Sequence, residues 1–231
     1  MPYSNNSGLG GFWNNLPPVT KNIILVNVIL FVATLFNESF MVETFGLFYP
    51  RSPFFRPWQI VTHMFMHGGF WHILFNMYTL LIFGMVLERA IGSRKFLVFY
   101  FITGLGAVAL HLGVEYLQAR SWLAAGTPAA LTSYRNLLGT PTVGASGAIY
   151  GVLIGYAMLY PDSVLTLLFP PVSLKAKWFV LIFALIELGT GILGTTDGIA
   201  HFAHLGGMLF GGLLMLWWRR KGRLFRQDLW I

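Results

Sequence analysis

The residues of this chain whose types and spacing could do chemistry are few. Ser146 stands between glycines in Thr142-Val143-Gly144-Ala145-Ser146-Gly147-Ala148-Ile149-Tyr150-Gly151, at the very start of an apolar run. A serine hydroxyl is a weak nucleophile until a base takes its proton, and an imidazole is the usual base. Two histidines, His201 and His204, open the last apolar run, and spacing alone leaves either as the partner of Ser146. His72 and Asn76 are four residues apart, hence on one face of a helix. Together these types would perform acyl transfer. The serine attacks a carbonyl, the histidine returns its proton to the leaving amine, and fixed donors hold the oxyanion. The expected donors are the backbone amide of Ser146, free at a helix start, with the side chains of His72 and Asn76. No third member to orient the imidazole is evident. Asp197 lies seven residues before His204, ~10 Å away along a helix axis, so the expectation is a dyad.

What must position these residues is a set of membrane helices. The 231 residues are 56% hydrophobic and only 10% charged, with a mean hydropathy of +0.66. A soluble domain is nearer a quarter charged. There is no cysteine, which excludes disulfides, thiolate metal sites and cysteine nucleophiles. Residues 1–19 read as a flexible tail, polar and Gly/Asn-rich up to Asn15, without the basic-then-apolar pattern of a cleaved signal peptide. Six apolar stretches, at about 20 residues per crossing of a ~30 Å core, read as spans: Asn22–Phe36, Trp71–Leu87, Phe96–Val114, Ser146–Tyr160, Trp178–Leu193 and Ala200–Trp218. They make residues 20–218 one all-α polytopic domain, followed by a basic tail, residues 219–231.

Charge orients the spans. With the N-terminus inside, eleven basic residues fall on the inner side (Lys21, Arg89, Arg94, Lys95, Lys175, Lys177, Arg219, Arg220, Lys221, Arg223, Arg226) and four outside (Arg51, Arg56, Arg120, Arg135). Both termini are then cytoplasmic. The net charge of +7 is thereby read as a topology signal. Lipid headgroups are a weaker partner for the basic tail, and nucleic acid is not expected. Two outer connections are long. Asn37–Phe70 is aromatic and rich in proline, suited to the membrane interface, and Glu115–Pro141 is partly apolar.

On this topology spans two, four and six run the same way. His72 and Asn76, Ser146, and His201 and His204 then lie at one depth just below the outer face. Polar groups within a bilayer are costly and face the bundle interior. Span four has 15 residues, roughly 22 Å, so Ser146 sits below the surface and water must reach it through a cavity. Gly147, Gly151 and Gly155 recur every four residues on span four, and Ala203, Gly207 and Gly211 do so on span six. Such rows let backbones approach closely and would bring Ser146 and His204 into one layer, with Tyr150 one turn below to stack on the imidazole. A plain packing seam would need the same rows. His72 and Asn76 alone would serve as interhelical hydrogen-bond partners, and Glu88 reads as a buried hydrogen-bonding or ion-pairing group. A histidine-based metal protein using His63, His67, His72, His201 and His204 is the rival. It lacks an H-E-x-x-H helix and, for a transporter, acidic ligands at matching depth.

At Gly144-Ala145-Ser146-Gly147 the chain resembles the rhomboid family of intramembrane serine proteases, over about residues 20–218. Its G-x-S-G motif falls on Gly144 to Gly147, its histidine and asparagine spaced by four on His72-Ile73-Leu74-Phe75-Asn76, and its A-H-x-x-G motif on Ala203-His204-Leu205-Gly206-Gly207. The resemblance selects His204 over His201, because a frame starting at Ala200 puts His204 where glycine belongs. It implies a six-helix bundle and cleavage of single-span membrane proteins near the outer face, without cofactor or metal. Ser146 is then the nucleophile, His204 the base, and His72, Asn76 and Ser146 the oxyanion donors, with Tyr150, Gly144, Gly147 and Gly207 supporting. Substrate would enter past span five, under a cap at Thr195–Gly198. A catalytically silent relative that binds membrane helices is the alternative. The compact chain suits a bacterial inner membrane. One departure is visible: many relatives carry Trp-Arg in the first outer loop, here Trp58-Gln59, so the contact that stiffens that loop is expected to be lost or taken over by Arg56.

Overall fold

The computed structural model describes residues 9–167, 171–193 and 200–224. The chain is mostly helical. Part of the stretch expected to be a tail forms α1 (Leu9–Asn14), and Leu16 behind it is buried. Helix α2 (Pro18–Phe36) starts on two prolines, whose fixed φ suits a first turn. It has no side-chain cap of its own. Glu88, 1% exposed, supplies one from another helix, accepting from the amides of Val19 (3.0 Å) and Thr20 (2.7 Å) and from the Thr20 hydroxyl (2.7 Å). Free first-turn amides and the helix dipole both favour a carboxylate there.

Asn37 accepts from the Phe40 amide and opens α3 (Glu38–Phe45). The outer loop continues through α4 (Gln59–Thr62) and a short 3-10 turn, His63–Phe65. Helices α5 (Phe70–Thr79) and α6 (Met85–Ile91) are joined through a π turn at Leu80–Gly84 into one rod. Helix α7 (Ser93–Ala125) has 33 residues, about 50 Å, and outruns the ~30 Å core. The outer connection expected from Glu115 is therefore helical up to Ala125. Its polar residues end the apolar pattern but not the helix, which stops only at Gly126, left-handed at φ 62°. Thr127 and Pro128 then start α8 (Pro128–Gly139).

Helix α9 (Ser146–Leu159), α10 (Ala176–Leu193) and α11 (His201–Arg220) complete the bundle. Each of the six stretches read as spans falls on a helix. Among the described residues, four helical stretches are both long and apolar enough to cross a membrane (Pro18–Phe36, Phe70–Ile91, Ser93–Ala125 and Ala176–Leu193), and α9 is apolar but shorter. A departure from the all-α expectation lies between α9 and α10. There β1 (Val164–Leu167) and β2 (Val172–Lys175) pair antiparallel, Val164 opposite Lys175. Pro161 ends the helical run, and Val-Leu-Thr-Leu suits a strand.

Helices α9 and α11 approach closely along their glycine seam. A Cβ on Gly207 would overlap the Gly147 carbonyl, and one on Gly211 would lie 3.1 Å from the Gly151 backbone. Helix α7 closes the same seam from the third side, where a Cβ on Gly206 would meet the backbone of Gly106 and Ala107 at 2.8 Å. Close backbone contact here adds to the packing of buried side chains.

Candidate active site

Ser146 is the first residue of α9, so its amide has no partner one turn back. The segment before it is held on three sides. Leu47 and Thr142 exchange backbone bonds of 2.9 and 2.8 Å, and the Gly144 amide donates to the His63 carbonyl at 2.9 Å. His111 of α7, which sequence reading did not single out, lies 2.9 Å from the Thr142 hydroxyl and 3.1 Å from Glu115. Gly144 has φ 138°, which side-chain-bearing residues rarely adopt. A Cβ there would stand 3.0 Å from the His72 ring and 3.4 Å from Ser146 Oγ. The glycine thus leaves open the space between the two.

Across the seam, His204 Nε2 is 2.7 Å from Ser146 Oγ. The ring of Tyr150 lies flat on the imidazole, centroids 4.1 Å apart and planes 7° apart. His72 Nδ1 accepts from the Gly68 amide at 3.4 Å, an assignment that leaves the proton on Nε2, toward Gly144. Asn76 is buried, and its Nδ2 has no protein partner among the described residues. His67 is buried edge-on against His72, ring centroids 5.0 Å apart. Burial, and secondarily the neighbouring His72, hold the His67 imidazole down to about 3; burial holds His63 down to about 4.

The structure therefore brings together Ser146, His204 and Tyr150, with His72 and Gly144 beside them, Asn76 one turn along α5 from His72, and Gly147 and Gly207 in the seam. The Thr195–Gly198 segment lies outside the described residues. His201 meets α10. Its Nδ1 is 2.6 Å from Glu187 Oε2 and 3.1 Å from the Thr190 hydroxyl.

Glu187 is the residue that sequence reading missed. It is 6% exposed. Its Oε1 accepts from Tyr150 at 2.6 Å and lies 2.9 Å from His204 Nδ1. That last contact is an ion-pair distance without hydrogen-bond alignment, so Nδ1 has no aligned acceptor among the described residues. The expectation that no acidic group shares the depth of the histidines is corrected here. The signal was present, since Glu187 is the one acid within Trp178–Leu193 and an ionisable residue within a span marks a site by default. Among the described residues, no three His, Asp or Glu side chains are grouped so as to hold a metal ion.

The loop departure resolves within the loop. Gln59 is fully buried. Its amide donates to the carbonyls of Glu43 (3.0 Å) and Phe54 (3.1 Å), and its oxygen accepts from the amides of Arg56 (3.0 Å) and Phe48 (3.4 Å). Gln59 itself ties the loop together, while the Arg56 guanidinium bonds the nearby Pro53 and Phe55 carbonyls.

Apolar helices packed through glycine seams, with a half-buried serine and a buried histidine in hydrogen-bond contact, define a polytopic membrane protein with a Ser–His pair. The Rhomboid domain family matches residues 55–221, and the chain belongs to that family. It is 30% identical over 212 residues to RHOMBOID-like protein 12, mitochondrial, of Arabidopsis thaliana, covering 89% of this chain and 59% of that protein. It is 28% identical over 208 residues to Rhomboid protease AarA of Providencia stuartii (86% and 71%) and 29% identical over 207 residues to Rhomboid protease GlpG of Pectobacterium atrosepticum (87% and 62%). The chain thus spans about six-tenths to seven-tenths of these three proteins.

Proposed function

We propose that the chain is an intramembrane serine protease that cuts single-span membrane proteins near the outer face. The observation that carries this is the 2.7 Å contact between His204 Nε2 and Ser146 Oγ, made across 58 residues inside a membrane bundle. His204 takes the Oγ proton as Oγ adds to the scissile carbonyl carbon. The carbonyl oxygen becomes an oxyanion, held by His72 Nε2–H, Asn76 Nδ2–H and the Ser146 amide. His204 then protonates the leaving amine, and water, activated by the same imidazole, releases the acyl group. Tyr150 keeps the imidazole plane fixed by stacking. Gly144 keeps the oxyanion space open, and Gly147 and Gly207 keep α9 and α11 close enough for the pair to meet.

The same reading takes residues 20–218 as a six-span catalytic domain with cytoplasmic termini and entry of substrate past α10. The two bacterial relatives are named proteases, which supports the activity. A bacterial inner membrane is the proposed location, although one plant relative is named mitochondrial. A fluorophosphonate probe applied to the detergent-solubilised protein tests the reading. Wild type is expected to label and Ser146→Ala to remain blank. Labelling that persists in Ser146→Ala, or a folded wild type that never labels, would sink it.

A further inference from the structure

We infer that Glu187 is a positioning residue for His204, supplied by a different helix from either member of the Ser–His pair. The inference rests on the serine-protease reading and extends it. The carboxyl group is buried with each oxygen committed. Oε1 is shared by the Tyr150 hydroxyl (2.6 Å) and His204 Nδ1 (2.9 Å), and Oε2 faces His201 Nδ1 (2.6 Å). When Ser146 Oγ gives its proton to Nε2, the imidazole becomes an imidazolium, with Nδ1–H already beside Oε1. The carboxylate stabilises that cation and favours the tautomer whose Nε2 is free to accept. No proton moves to Glu187 and no bond forms on it. The Tyr150 bond fixes Oε1, so one residue both stacks on the imidazole and aims its counter-charge.

The unaligned His204–Glu187 contact sets the size of the effect. Where a carboxylate makes an aligned bond to the catalytic imidazole, its loss costs about 10,000-fold. An ion-pair contact alone should be worth less, about 10- to 100-fold. Among the described residues, the titratable groups facing this cluster are Tyr150 from α9, His201 and His204 from α11, and His72 from α5 across Ser146.

The test is the rate of fluorophosphonate labelling against pH for full-length wild type and E187Q in detergent, with thermal melting of each. E187Q keeps the shape and can still accept from Tyr150. It is expected to label about 10- to 100-fold more slowly, with the low-pH limb of its profile moved to lower pH by about one unit, because the imidazolium has lost its counter-charge. E187D is expected to recover part of the rate. A merely structural role would lower the melting temperature and leave the limb in place. Wild type that labels while E187Q labels equally fast, or with an unmoved limb, overturns the inference alone. Wild type that never labels removes the protease reading with it. If E187Q does not fold, Y150F decides, since it keeps the stack and deletes the bond to Oε1. Its labelling should fall about 3- to 10-fold, and an unchanged rate overturns the inference.

Discussion

The two sides of the site are built differently. Ser146 and His204 sit on α9 and α11, whose backbones touch through Gly147, Gly151, Gly207 and Gly211 with no room for one more carbon at Gly207. The outer loop belongs to that tight side. Gln59 and the Leu47–Thr142 bonds pin it, and through it the segment that leads into Ser146. Helix α10 carries Glu187 from the other side. Leu181, Ile182, Leu185, Ile186, Leu188, Ile192 and Leu193 on it are exposed to the surroundings. A Cβ on its Gly189 would meet nothing within 4 Å. The groups that must meet within hydrogen-bond distance are on rigid, interlocked elements. The group that acts through charge, and tolerates looser geometry, is on the helix with the freer face.

Four measurements would break or sharpen this contrast. The largest effect is expected from Gly207→Ala. The added methyl overlaps the Gly147 carbonyl, so α9 and α11 must part. The apparent melting temperature should fall by about 10 °C, corresponding to about 3 kcal/mol, and Ser146 labelling should drop to background. A variant as stable and reactive as wild type would show that the seam is not tight.

Gln59→Ala comes next. It leaves two carbonyls and two amides of the loop without their side-chain partner, at a cost of about 2 kcal/mol. Melting in detergent should show the loss, and proteolysis should open the loop. If α10 opened instead, the assignment of the loop to the rigid side would be wrong.

Acid tests the same side. His63 and His67 are held down to about 4 and about 3 when folded, against ~6.5 unfolded. The unfolded chain therefore takes up protons first as pH falls. The stability contributed is fully present above ~6.5 and is lost progressively toward the folded values. Between pH 7.5 and 5.5 each histidine should cost about 1 kcal/mol, read from denaturation midpoints across that range. His63→Gln should flatten the dependence; a curve of unchanged slope would mean that His63 is not buried as neutral imidazole.

Gly189→Ala on α10 should have the smallest effect, and of opposite sign. Helix propensity gains up to about 1 kcal/mol with no clash, so melting should rise slightly and labelling stay near wild type. A Gly189→Ala variant as damaged as Gly207→Ala would erase the difference between the two sides.

Much of the site was legible in the sequence because it is local or periodic. The serine between glycines, the i and i+4 pair on His72 and Asn76, and the four-residue glycine rows are patterns along one helix, and periodicity reports which face each occupies. The placement of helices was legible because apolar length is set by the bilayer. What was not legible involved contacts between elements distant in the chain. Gln59 reads as a lost arginine until its four loop partners are seen. Glu88 and the start of α2 are 68 residues apart. Glu187 looks like an isolated acid in a span, and no spacing rule links α10 to α11.

The sequence by itself therefore determined the long apolar helices, the chemical types and the family, since each rests on composition, period or motif. The tertiary structure decided the distances and the partners no motif links. It set His204 Nε2 2.7 Å from Ser146 Oγ, joined His201 to Glu187, and put a carboxylate 2.9 Å behind the imidazole. The physical reason is that hydrogen bonds and ion pairs act over a few ångströms, and only the packing of backbones across the glycine seams fixes distances on that scale.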